Sequence, residues 1–196
     1  MQRIVLASGN PGKLVEFRAL LAASELDIVA QGELGIGDAE ETASTFVENA
    51  LLKARHAASQ GGLGALADDS GLCVPALHGA PGVHSARYAG RHGDDAANNA
   101  RLLRDLSTFA DADRGAFFIC VLVLLRAADD PTPIIVEGRW HGRILRQARG
   151  RHGFGYDPLF LPDGQQLSSA ELDPALKNRL SHRGQALAQL RARLGA

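Results

Sequence analysis

Cysteine is scarce in this chain. Only Cys73 and Cys120 occur in 196 residues, both inside apolar stretches and with no CxxC pairing. No disulfide framework is expected, and the two thiols fit buried positions in a reducing compartment. An excess of charge of one sign is missing too: 21 Lys and Arg stand against 22 Asp and Glu, a formal charge of −1. Nucleic-acid binders ordinarily need a basic excess for phosphate contacts, so nucleic acid is not an expected partner. The longest uninterrupted apolar run, Ala116 to Leu125, has half the length of a membrane span. It suits a buried strand, and no membrane partner is expected. A strand-like run follows Met1 directly, so no targeting peptide is expected and the location predicted is cytoplasmic. Lysine is rarest of all for its class: Lys13, Lys53 and Lys177 are the only three among 21 basic residues.

What is present is ordinary for a soluble globular protein, with 45% apolar and 22% charged residues. That balance excludes disorder. The length suits one domain over residues 1–196 with a proper core. No repeat, linker or low-complexity tract interrupts it. Charge is uneven along the chain: residues 1–138 carry a balance of −7 and residues 139–196 one of +6. Such asymmetry is either a solvated surface feature or the two walls of a cleft, one acidic for a metal and one basic for an anion.

The periodicities predict an α/β domain with a mixed sheet. Residues 3–7 read as a buried strand, and Asn10 as the N-cap of a helix with Pro11 at its first position. Leu14, Phe17 and Leu21 give that helix an apolar stripe. Residues 26–30 read as a second strand and Gly32 to Glu41 as an acidic loop. Thr45 and Glu48 form a capping-box pattern for a helix reaching about Ser59. Residues 63–67 read as a strand and Leu72-Cys73-Val74 as the start of another, with Pro75 to Gly82 a loop. A helix over 94–106 follows, then two long strands, 117–125 and 134–145, joined by a turn at Asp129-Asp130-Pro131 and expected to be antiparallel. Arg149 to Pro158 reads as a Gly-rich loop and 174–180 as a short helix. A last helix begins at Ser181 and buries Leu187, Leu190 and Leu194.

Four segments carry candidate chemistry, each with a plainer structural reading beside it. Ser8 to Lys13 opens a helix after a strand, which suits a phosphate; it is also a serviceable Gly-Pro turn. It is not a P-loop, which would need Gly at position 7 and Ser or Thr at 14, where the chain has Ala7 and Leu14. Asp68-Asp69-Ser70-Gly71 places carboxylates after a strand, hard oxygen ligands suited to Mg²⁺. By local propensity alone it reads as a turn. Gly153 to Pro158 frees an aromatic face to stack on a base, or plugs Phe154 into the core. His182 and Arg183 put two basic residues in the first turn of a helix, against the macrodipole. Such a broken local rule is expected at a functional site, although a solvated basic turn would look the same.

The ordered set SGNPGK (8–13), AEETASTFVENALLKA (39–54), ADDSGLCV (67–74), GAPGVHSARYAG (79–90), GFGYDP (153–158) and LSHRGQAL (180–187) resembles the inosine triphosphate pyrophosphatase family, in its bacterial branch. The resemblance spans nearly the whole chain. The family's threonine in the first motif is serine here, Ser8, which keeps the hydroxyl. The resemblance implies an elongated α/β fold, two lobes around a central cleft lined by a long mixed sheet, and a homodimer. The implied activity is hydrolysis of non-canonical purine nucleoside triphosphates (ITP, dITP, XTP) to the monophosphate and pyrophosphate with Mg²⁺. It implies that Ser8, Gly9, Asn10, Pro11, Gly12 and Lys13 hold the triphosphate with Lys53. It further implies that Asp69 is the general base and a metal ligand, that Ser70 contacts substrate, and that Glu40 or Glu41 approaches the metal. Phe154, Gly155, Tyr156, Asp157, Lys177, His182 and Arg183 are implied at the nucleobase end. Two other functions fit parts of the pattern. A septum-associated nucleotide pyrophosphatase would lack the GFGYDP and SHR motifs, and a non-catalytic nucleotide sensor would have no use for Asp69 among acidic neighbours.

Overall fold

Continuous apolar runs at residues 4–7 and 116–125 and an alternating pattern at residues 134–144 assemble one mixed sheet. The computed structural model describes residues 2–21 and 26–195. Strands β1 (Gln2–Ala7), β2 (Leu26–Ala30), β3 (Gly64–Cys73), β4 (Gly115–Leu125), β5 (Ile134–Ile144) and β6 (Phe160–Pro162) lie in the order β2-β1-β3-β4-β5-β6. β1 pairs in parallel with both β2 and β3, while β5 and β6 are antiparallel. The helices are α1 (Pro11–Leu21), α2 (Phe46–Gly61), α3 (Asp95–Asp105), α4 (Pro174–Leu180) and α5 (His182–Leu194). The chain divides into two compact units, one of residues 1–69, 120–138 and 183–196, the other of residues 70–119 and 139–182.

In the first unit, even-numbered strand residues Ile4, Leu6, Leu66, Cys120, Leu122 and Leu124 pack with Phe17 and Leu21 of α1 and Ala186, Leu187 and Leu190 of α5. Leu14 packs at the margin as the stripe predicts, but Leu194 is 40% exposed and does not join the buried face. Helix α2 buries alanines 50, 54, 57 and 58, small side chains that bring its backbone close to β1. Thr45 caps it, accepting from Glu48 N at 3.4 Å and donating to Glu48 Oε2 at 2.6 Å. The second unit has its own core of Leu72, Val74, Leu102, Phe118, Trp140, Leu159 and Phe160. Both cysteines are buried.

One expectation fails instructively. Residues 68–71 form neither a turn nor a strand end; they lie inside the ten-residue β3, which runs unbroken through what reads locally as two pieces. Asp and Ser favour turns because their side chains compete for the backbone, and Gly because it lacks a Cβ. Here tertiary partners engage the Asp68 and Asp69 side chains instead, and the ladder continues.

Candidate active site

Extended backbone through Asp68 and Asp69 sends their side chains to opposite faces of the sheet, and each face supplies different partners. Asp68, whose side chain is fully buried, pairs with Lys13 Nζ through Oδ1. Its Oδ2 accepts from Arg183 Nε at 3.2 Å and Cys120 Sγ at 3.0 Å. Arg183 also pairs with Glu16 of α1. Burial opposes the Asp68 charge, but Lys13, Arg183 and Lys53 outweigh it and hold the carboxyl well below the usual range. Burial likewise disfavours the Arg183 charge, and Asp68 and Glu16 more than compensate, so the guanidinium stays ionised. The Cys120 thiol is pushed up by burial and by Asp68. It is a hydrogen-bond donor, not a nucleophile.

Asp69 meets Lys53 of α2, whose Nζ donates to Asp69 Oδ1 at 2.6 Å and to Glu41 Oε1 at 2.9 Å. The other carboxylate oxygen, Asp69 Oδ2, is buried without a hydrogen-bond partner among the described residues. Burial pushes the Asp69 carboxyl up to about 6, against the pull of Lys53. Burial also weighs against the Lys53 ammonium, but Asp69, Glu41 and Asp68 raise its pKa overall. Of the two acidic-loop candidates, Glu41 is thus the one joined to Asp69 through a shared ammonium, whereas the Glu40 side chain is exposed.

The segment from Ser8 to Lys13 links β1 to α1. Asn10 Oδ1 accepts from Lys13 N at 3.1 Å, and Asn10 N donates to Ser8 Oγ at 3.3 Å. The cap leaves the positive end of the helix facing outward from the strand, a setting that suits phosphate.

In the second unit, Ser70 is half-buried. Asp157 is enclosed: Oδ1 accepts from Ser169 Oγ at 2.7 Å, and Oδ2 from Phe154 N at 2.9 Å and Lys177 Nζ at 2.6 Å. The Lys177 ammonium stands 5.4 Å from the centroid of the half-buried Phe154 ring. Gly153 has φ +79°, and a Cβ there would collide with Asp157 Oδ2, so glycine is required for the carboxylate to close this loop. Tyr156 is buried, and its hydroxyl donates to Ser85 O at 2.8 Å. His182 is buried with its ring stacked on Phe118, centroids 4.9 Å apart and planes at 12°.

The basic pair at the start of α5 is therefore interior. Each residue faces a different partner, Phe118 for His182 and Asp68 with Glu16 for Arg183. Sequence reasoning named Asp68 only as part of the Asp68-Asp69 pair and Cys120 only as a buried thiol, and it did not single out Glu16 or Ser169. Glu16 carried a signal, three residues after Lys13 on one helix face. Cys120 carried none, because alternation is invisible in a strand apolar at nearly every position.

A mixed six-stranded sheet with flanking helices, and buried carboxylates set at mid-strand against lysines, defines an α/β protein of a recognisable kind. The Ham1 family model matches residues 4–193, and the chain belongs to that family. Its relatives include a dITP/XTP pyrophosphatase of Ralstonia nicotianae, 62% identical over 99% of this chain and 97% of the relative. The dITP/XTP pyrophosphatase of Burkholderia pseudomallei is 61% identical over 98% of this chain and 93% of its own length. A solved Ham1 protein from Coxiella burnetii superposes with a TM-score of 0.92 at 52% identity, covering 100% of this chain and 99% of that one. These likenesses bear out the family resemblance and the α/β fold.

Proposed function

We propose that this protein hydrolyses non-canonical purine nucleoside triphosphates (ITP, dITP and XTP) to the nucleoside monophosphate and pyrophosphate. The observation that carries this reading is Asp69: a buried carboxyl pushed up to about 6, bonded to Lys53 through one oxygen and unpartnered at the other. Beside a highly anionic triphosphate, Lys13, Lys53 and the N-terminus of α1 supply positive charge where phosphoryl transfer needs it.

In the reaction, water attacks phosphorus and the bond between the α- and β-phosphoryl groups breaks. Asp69 accepts the water's proton. A carboxyl poised near 6 suits that task at neutral pH, since it is ionised yet basic enough to hold a proton. Mg²⁺ fits the residues present. Asp69 and Glu41 are hard oxygen donors that already share one cationic group, and the orphaned Asp69 Oδ2 would gain a partner. When bound there, Mg²⁺ lowers the pKa of water and offsets phosphate charge. Asp69 and Glu41 would hold it; Glu40, exposed, is not assigned to it. Lys53 orients both carboxylates.

Ser8 to Lys13 hold the phosphates, and Ser70, Phe154 to Asp157, Lys177, His182 and Arg183 serve the substrate's remaining groups. Phe154 stacks on the base. Lys177, with Asp157 as its counter-charge, donates to a 6-oxo purine and leaves adenine's amino group opposite an unpaired donor. The same reading carries a homodimer and a cytoplasmic location, which sedimentation and fractionation check.

The decisive experiment is product analysis with ITP, GTP, ATP and dTTP, with and without Mg²⁺. Pyrophosphate from ITP in preference to ATP and dTTP is expected; IDP and orthophosphate as primary products would overturn the assignment. Asp69→Asn should still bind ITP while losing about 10²–10⁴-fold in kcat.

A further inference from the structure

Helix α3 reaches the 153–158 loop through two side chains that no motif above contains. Gly155 N donates to Asp95 Oδ2 at 2.7 Å, and Asn99 Nδ2 donates to Gly155 O at 2.8 Å. Both peptide groups of Gly155 are thus gripped by residues four apart, one turn of one helix face. Gly155 has φ +61°, a conformation in which other residues are strained. The grip fixes that left-handed link directly after Phe154.

The helix making this grip is itself anchored. Asp94 caps it, accepting from Ala97 N at 3.0 Å. The buried Asn98 accepts from Ala89 N at 2.7 Å and donates to Ala86 O at 3.2 Å. Tyr156, next in the loop, donates to Ser85 O in the same segment. On its far side the loop is closed by Asp157 on Phe154 N. The Phe154 ring is therefore set between two polar locks, Asp157 on its own N–H and the Asp95–Asn99 pair on the next residue. Asn99 adds a second, independent sign. Its Oδ1 is buried without a partner among the described residues, an unfavourable arrangement that stability alone does not reward.

We infer that Asp95 and Asn99 are positioning residues for nucleobase recognition: they clamp the Gly155 backbone and so aim the Phe154 ring and the adjoining Asp157–Lys177 pair. This rests on the proposed reading that Phe154 stacks on the base. Neither residue touches the reacting atoms. Their loss acts on binding and base choice, leaving the chemical step intact.

The test uses the full chain carrying Asn99→Leu, Asp95→Ala or Asp95→Asn, with steady-state kinetics on ITP and ATP and melting curves. Asp95 also suits the first turn of α3 as a carboxylate near the positive helix end, so Asp95→Asn separates that charge from the hydrogen-bond acceptor. Asn99→Leu and Asp95→Ala should each raise KM for ITP about fivefold or more with kcat within about twofold, and should narrow the preference for ITP over ATP. Asp95→Asn, whose amide oxygen still accepts from Gly155, should restore most of the loss. Unchanged KM in both variants, or kcat and Tm falling together without restoration, would overturn the inference. Amide exchange at Gly155 keeps the clamp testable even if the wild-type protein releases no pyrophosphate from ITP and the functional reading itself fails. Asp95→Ala should speed that exchange about tenfold against its neighbours, and an unaltered rate would mean that no clamp exists.

Discussion

Asp68 and Asp69, consecutive in β3, are driven in opposite directions by the two faces of one sheet. Asp68 is held well below the usual carboxylate range by Lys13 and Arg183 despite complete burial. Asp69, with Lys53 on one oxygen only, is pushed up to about 6 by burial. Two titratable neighbours with separated pKa values are the pattern expected where one carboxyl stays charged as a fixed counter-ion and the other exchanges a proton.

Asp68→Asn should therefore be a stability variant first. It leaves Lys13 and Arg183 beside a neutral amide in the interior, and breaking a buried ion pair costs about 3–5 kcal/mol. A fall in Tm of roughly ten degrees is expected for a chain of this size. Calorimetry checks it, and a shift of only one or two degrees would mean that Glu16 alone satisfies Arg183.

The raised Asp69 value fixes the sign of two pH effects. Its folded pKa of about 6 exceeds the ordinary aspartate value of 3.8, so the folded state binds more protons in that window. In EDTA the contribution of this group to stability falls as pH climbs from about 4 to about 6. A cation held by Asp69 needs the carboxylate, so Mg²⁺ binding should release about half a proton per ion at pH 6 and close to none at pH 8. Titration calorimetry in two buffers of different ionisation enthalpy measures this; equal release at both pH values would remove Asp69 from the metal site.

The three lysines each set an ammonium against a buried carboxylate: Lys13 on Asp68, Lys53 on Asp69, and Lys177 on Asp157. A guanidinium is wider, planar and fixed in its donor directions. Lys13→Arg, Lys53→Arg and Lys177→Arg should each lower kcat/KM for ITP by about tenfold or more, roughly 1.4 kcal/mol of transition-state binding. If the triple variant kept near-native kcat/KM, charge alone would be what these positions supply.

Phe154→Ala distinguishes a stacking ring from a core plug. Stacking on a base is worth about 1–3 kcal/mol by alanine substitution, so KM should rise at least several-fold with a small change in Tm. A large fall in Tm with KM preserved would place the ring in the core's service.

The sequence by itself determined much of this protein. Asn10 and Pro11 mark the start of α1, and Thr45 and Glu48 the start of α2, because capping is a local exchange between a side chain and nearby N–H groups. The six ordered motifs also carried the family. Tertiary structure decided the rest. Residues 68–71 read locally as a turn, and only Lys13, Arg183 and Lys53, arriving from three helices, make Asp68 and Asp69 tolerable inside a strand. Glu40 and Glu41 are equivalent on paper, and only the folded chain brings Glu41 onto the ammonium that Lys53 shares with Asp69. Asp95 and Asn99 look like any polar residues on a solvated helix until Gly155, some sixty residues away, is found between them. Caps and stripes act within one or two turns of chain, whereas a buried charge is settled by partners that only folding brings within hydrogen-bond reach.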